Sequence, residues 1–177
     1  MSYIDIIYNH KPKNELQTIS KVDFREFWSK ILEDLRSITF SMTILDMTEK
    51  ALSLEDPFPN LFDTLKEVLR SFNIKKEDPN LLFWFYECAL LTNLGFRPTL
   101  NKIEVPGLIV PDPNKGPNSG AILASLLSGN ISKLPNEIVT PEDRSIISDY
   151  LWNLLCYHCE GMEKIKSMST TRKILSI

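Results

Sequence analysis

The chain has 177 residues, 43% hydrophobic and 24% charged, the balance of a folded globular protein rather than a disordered or fibrous one. Its 20 Lys and Arg against 23 Asp and Glu leave a formal charge of −3. That excludes a broadly basic protein that coats nucleic acid by charge and weakens any membrane-surface role. The charge is uneven, however: residues 1–21 carry +1, residues 161–177 carry +3, and residues 22–160 carry −7. The longest apolar run, residues 81–96, contains Glu87, Thr92 and Asn93 and falls short of the ~20 residues a membrane span needs. No basic region leads into an apolar stretch at the N-terminus, so no signal peptide is expected. Three cysteines cannot all pair within one chain, which points to a reduced, cytoplasmic protein.

The first 20 residues read as a β-hairpin. Tyr3, Ile4, Asp5, Ile6, Ile7 and Tyr8 are rich in strand formers, residues 9–14 supply turn chemistry, and residues 15–19 can return as a second strand. A lone hairpin is marginal in water, so this one must pack on helices or belong to a larger sheet. From Val22 the apolar period becomes helical, with Phe24, Phe27, Trp28, Ile31, Leu32 and Leu35 on one stripe and Asp23 as N-cap. The stripe resumes through Phe40, Ile44, Leu45 and Met47 after a break near Ser37. Asp56, Pro57, Phe58, Pro59 and Asn60 open a further helix with Leu61, Leu65, Val68, Leu69 and Phe72 inward. Asp78, Pro79 and Asn80 start the most apolar segment, which is hydrophobic nearly all round and therefore central, with Gly95 just past its end. Residues 96–120 hold five prolines and three glycines, a long loop of the kind that is functional, mobile or a remnant. A short helix over residues 121–127 follows. A final long helix has Thr140 as N-cap, Pro141 at its first position, and Ile146, Ile147, Tyr150, Leu151, Leu154, Leu155 and His158 on one face.

Chemical motifs are few. Cys156-Tyr157-His158-Cys159 has the spacing of half a zinc site, but only Cys88, His10 and His158 remain as further ligands and no second close pair exists. The pair also lies at the C-terminal end of a helix, where the dipole raises rather than lowers a thiol pKa. These cysteines read as structural. Two histidines without flanking nucleophile signatures assemble no catalytic set. Gly116-Pro117-Asn118-Ser119-Gly120 lacks the Lys-Ser/Thr of a phosphate loop. The chain therefore reads as non-enzymatic, with no cofactor. The tail carries Lys164, Lys166, Arg172 and Lys173 among hydroxyl residues; it can meet phosphates or an acidic peptide, although composition alone reads it as a solvated tail.

The order of local patterns resembles the RecO family of bacterial recombination mediators. Residues 4–8 followed by Asn14-Glu15-Leu16-Gln17-Thr18-Ile19 are similar to the closing strands of that family's N-terminal OB-fold. The apolar helix from Phe83 ending in Leu94-Gly95-Phe96-Arg97-Pro98 resembles the family's Leu-Gly-Tyr/Phe-x-Pro. The last helix with Ile165-Lys166-Ser167 and Arg172-Lys173-Ile174-Leu175 resembles its closing segment. The resemblance implies a mainly α fold: residues 1–20 a hairpin left from an OB-fold, and residues 21–177 a multi-helix RecO C-terminal-like domain with the Pro/Gly loop at 96–120. It also implies a truncated or divergent member. Many relatives carry a four-cysteine zinc module where this chain has the cysteine-free residues 101–107.

The function so implied is DNA repair and recombination without catalysis. The partners implied are single- or double-stranded DNA, a RecR-like protein and the acidic tail of single-stranded-DNA-binding protein, with no membrane. DNA binding should be weakened where the OB-fold is lacking. An acidic peptide with an aromatic end calls for a hydrophobic groove rimmed by cations, for which Arg97, Lys102, Lys164, Lys166, Arg172 and Lys173 are the candidates. The alternative is a helical protein-interaction adaptor with no nucleic-acid role.

Overall fold

A computed structural model describes residues 1–14, 16–53, 56–135 and 138–175. Strands β1 (Ser2–Asn9) and β2 (Thr18–Phe27) form an antiparallel hairpin. Six helices follow among the described residues: α1 (Leu35–Ala51), α2 (Pro59–Ile74), α3 (Pro79–Asn93), α4 (Ser119–Leu126), α5 (Pro141–His158) and α6 (Lys166–Leu175). The chain is thus mainly α with an N-terminal hairpin, as expected.

The second strand departs from expectation. It runs to Phe27, where a helix capped by Asp23 was predicted, and Glu15, at the predicted strand start, lies outside the described residues. Ile4 pairs with Phe24, Ile6 with Val22 and Tyr8 with Ile19, so these side chains share one face of the ribbon. The helical spacing of Phe24, Phe27, Leu32 and Leu35 is a coincidence of composition: all four are more than half exposed, and only Trp28 and Ile31 of that stripe are buried. The helix starts instead after Asp34, whose carboxylate accepts from the Ser37 N–H at 2.8 Å and the Ser37 hydroxyl at 2.6 Å.

The hairpin is fastened at its base only. Trp28 N–H donates to the Met1 carbonyl at 2.9 Å, Tyr3 meets Phe62 of α2 edge-on at 6.0 Å, and Arg70 of α2 clasps Glu26. The hydrogen bond from Arg70, aided by Trp28, holds the Glu26 pKa down at about 2 against the opposing effect of desolvation. Beyond that base, Ile4, Ile6, Tyr8, Ile19, Val22 and Phe24 are 40–74% exposed.

The helices are cut where the sequence says they should be. Pro59 and Pro79 open α2 and α3, and Asp78 caps α3 by accepting from the Asn80 N–H at 2.7 Å. Eleven residues of α3 are buried, from Asn80 to Leu91, making it the central helix that α1, α2, α4 and α5 cover. Its end is closed by Phe96 N–H to Leu91 carbonyl (2.8 Å) and Gly95 N–H to Thr92 carbonyl (3.1 Å). Gly95 takes φ +89° at the C′ position, which this closure requires of its residue.

The Pro/Gly loop is strapped down along α5 rather than free. The Tyr150 hydroxyl donates to the Thr99 carbonyl at 2.6 Å and accepts from the Thr99 N–H at 3.1 Å. Asn153 holds the Ile109 carbonyl at 3.0 Å, and Phe96 stacks on His158 at 3.9 Å. His158, expected on the core face, instead forms part of this strap and is only half-buried.

The loop's last turn is tied by Asp143, the third residue of α5. Burial would raise its pKa, but the Thr140 hydroxyl (2.7 Å) and the N–H groups of Asn118 (2.8 Å) and Thr140 (3.1 Å) outweigh that and hold it below the usual carboxylate range. Gly116 passes so close that a Cβ there would stand 2.7 Å from Asp143 Oδ1. In the segment that resembles a phosphate loop, the Gly116 N–H donates to the Ser119 hydroxyl at 3.1 Å and the Asn118 N–H to Asp143, so both amides are already engaged within the chain. Asp143→Ala is expected to cost about 2–3 kcal/mol, because it leaves three part-buried donors without their acceptor and removes a capping box. Urea unfolding should show a lower midpoint at an unchanged slope.

The basic tail corrects a second expectation. It is not a solvated segment but the amphipathic helix α6, laid on α1 by buried Met168, Thr171 and Leu175. The Thr43 and Thr171 hydroxyls bond at 2.7 Å, and the Ser167 hydroxyl donates to Asp46 at 2.5 Å. No helix among the described residues is long and apolar enough to cross a membrane.

Candidate partner-binding groove

A depression among the helices has the chemistry to suit the peptide expected from the sequence. Helices α2, α3 and α4 leave a groove of about 280 Å³ between them. Phe85, Cys88 and Ala89 form one wall, Leu126 and Leu127 the other, and Thr64, Thr92 and Asn93 the polar margin. These walls follow from α3 being apolar all round: the side not used against α1 and α5 faces the groove. Arg97 stands at the rim, where its guanidinium donates to the Leu127 carbonyl at 3.1 Å and so closes the C-terminal end of α4. An apolar trough with a guanidinium on its lip can take an apolar side chain together with a neighbouring carboxylate.

The other five predicted cations are elsewhere. Lys102 pairs with Glu104 at 2.6 Å in the strap. Lys164 and Lys166 line a shallow cleft of about 530 Å³ with Asp46, Glu49 and Lys50, where the charges are mixed. Arg172 pairs with Asp149 across α5 and α6, and Lys173 lies exposed on α6. Six cations predicted as one rim are therefore distributed over separate surfaces, and only Arg97 borders the apolar groove. Sequence reasoning placed them by charge, and charge carries no information on which helix faces meet.

The cysteines are consistent with structural roles. Burial pushes the Cys156 thiol up to about 11 and raises Cys159 too, while burial and the neighbouring Glu87 push Cys88 well above the ordinary value. Among the described residues no group of three or more His, Cys, Asp or Glu could hold a metal ion.

The class of protein so defined is a mainly α domain with an appended hairpin and an apolar, cation-lipped groove. Residues 32–138 match the family described as Recombination protein O C terminal, and the chain belongs to that family. The matched stretch takes in α1 to α4 and the whole groove. The chain is 27% identical over 105 residues to the DNA repair protein RecO of Salinibacter ruber, covering 59% of this chain and 40% of the relative. It is 28% identical over 107 residues to that of Exiguobacterium sibiricum (60% and 43%) and 28% over 94 residues to that of Listeria monocytogenes serotype 4a (53% and 36%). The aligned part spans about two-fifths of the length of these curated relatives.

Proposed function

We propose that the chain is a RecO-type accessory of DNA repair and recombination that acts in the cytoplasm by binding and not by catalysis. Family membership supports the role, since the matched relatives are named as DNA repair proteins. The observation that carries the mode of action is the groove with Arg97 on its lip. Its chemistry fits an acidic peptide ending in an apolar group, of the kind carried by the tail of single-stranded-DNA-binding protein. A RecR-like protein and single- or double-stranded DNA are the further partners of this reading. The hairpin, with its uncovered apolar face, is read as two strands of a larger OB-type sheet appended to the helical domain.

Fluorescence anisotropy with a labelled acidic tail peptide and with labelled single-stranded DNA, at low and moderate salt, tests the proposal. Salt-sensitive binding of the peptide is expected, weakened about 10-fold or more in Arg97→Glu, since reversing a rim charge replaces an attraction by a repulsion. Absence of salt-sensitive binding to both ligands would overturn it. The acidic body, −7 over residues 22–160, favours a second reading in which the domain is a protein-interaction adaptor without a nucleic-acid role. That reading predicts peptide binding, which charge reversal of Lys166 and Arg172 leaves intact as in the first reading, but no DNA binding at any salt; the DNA titration therefore separates the two.

A further inference from the structure

A second depression lies between α5 and α6, outside the family-matched residues and sharing no lining residue with the groove. It holds about 210 Å³, and its walls carry Arg144, Ser145, Ser148 and Asp149 from α5 and Arg172 from α6. The α5 residues fall at i, i+1, i+4 and i+5, which stacks them on one side of that helix. Pro141 and Leu175 close the ends with apolar surface.

Three features distinguish this pocket from an ordinary surface cleft. First, the Arg144 Nε is buried and has no hydrogen-bond partner among the described residues. A guanidinium left short of acceptors in this way is uncommon in a native fold. Second, Ser148 Oγ accepts from the buried Trp84 Nε1 at 3.1 Å, which fixes the oxygen and leaves the hydroxyl proton to be donated elsewhere. Third, Arg172 reaches across from α6 and is held by Asp149, which also takes the Ser145 hydroxyl at 3.5 Å. Two guanidinium groups and one carboxylate leave the pocket a net +1, with donors in excess of acceptors.

We infer that this pocket binds a terminal phosphate group, with Arg144, Arg172 and Ser148 as donors to its oxygens. Guanidinium forks match phosphate oxygens in pairs, which an isolated lysine does not. The pocket is recessed, so the group that fills it must project from its carrier. A phosphomonoester does this, whereas the diester within a nucleic-acid strand is flanked on both sides. The carrier is either a free phosphate or nucleotide, or the 5′ end of a strand. Asp149 is a competitor in this site: it holds Arg172 when the pocket is empty and opposes the incoming charge. The inference does not rest on the peptide groove, whose ligand and residues differ.

The test is a nuclear magnetic resonance titration of the whole chain at fixed ionic strength, following the Arg144 and Arg172 Nε–H signals. Probes are inorganic phosphate, a nucleoside 5′-monophosphate, and one short oligonucleotide made with a 5′-phosphate or a 5′-hydroxyl. Saturable shifts of the Arg144 signal are expected with inorganic phosphate and with the monophosphate. Tighter binding of the 5′-phosphorylated strand than of its hydroxyl twin identifies strand ends as the source; equal strands with a responsive monophosphate identify the free ligand. Arg144→Gln should weaken binding about 10-fold, while Asp149→Asn should tighten it about 3-fold by releasing Arg172 and removing a negative charge. The second variant guards against misfolding, since damage to the fold cannot improve a site. No saturable shift with any probe, or affinities unmoved by Asp149→Asn, would overturn the inference.

Discussion

Trp84→Ala is expected to destabilise the chain by about 3–5 kcal/mol, the range for truncating a fully buried aromatic ring. Trp84 sits at the middle of α3, has no exposed surface, and is enclosed by the core that α3 shares with its neighbours. Its ring also carries one directional contact, the N–H donated to Ser148 on α5. The two contributions separate by comparison with Trp84→Phe, which keeps most of the apolar volume but leaves Ser148 without its donor. That variant should lose only about 1–2 kcal/mol. For a domain of this size the alanine variant corresponds to a fall of roughly 10 °C in melting temperature. Equal losses in both variants would mean that the hydrogen bond, not the volume, ties α3 to α5. Calorimetry or urea melts of the three proteins decide it.

The second large effect is a pH dependence that originates in one residue. Glu87 lies on the same helix, is 1% exposed, and its Oε2 has no hydrogen-bond partner among the described residues. Burial pushes its pKa well above the ordinary carboxylate value, and the positive charge of Arg172 offsets this only in part. The folded chain therefore keeps the proton over a range in which the unfolded chain has released it. Fully present below about pH 4.3, the stability linked to this proton is lost as pH rises towards the folded-state pKa, by up to about 1.4 kcal/mol per pH unit. Glu87→Gln removes that slope. Wild type and variant should unfold alike near pH 4, and the variant should be the more stable at pH 7. Glu26 and Asp143, whose pKa values are lowered, lose their contribution in the opposite direction, as pH falls. The difference between wild type and Glu87→Gln cancels both, so urea midpoints from pH 4 to pH 8 isolate Glu87. Identical slopes in the two proteins would show that Glu87 ionises in the folded chain.

Much of the helical fold was legible because its signals are local. Pro59, Pro79 and Pro141 open their helices, Asp78 and Thr140 cap them, and Gly95 ends α3. Each acts through its own backbone geometry within a turn, so no distant residue can overrule it. The all-round apolarity of α3 likewise announced a central helix. The 22–35 stripe failed because Val22 and Phe24 satisfy a strand and a helix equally well. Pairing with Ile6 and Ile4 decides between them, and that partner is fifteen to twenty residues away in sequence.

The net charge of −3 and the basic ends illustrate the same division. Length, composition and charge established the balance of a folded globular chain, and local periodicity and capping located most of its helices. They also located the cations, but not their company. Only the tertiary structure showed that the basic tail is a helix docked on α1, that of the six predicted cations Arg97 alone borders the apolar groove, and that Arg144 and Ser148 meet Arg172 across two helices. The physical reason is range: capping and periodicity are written within a few residues, whereas a groove or an anion pocket exists only where faces from distant segments are brought together by burial of the core between them.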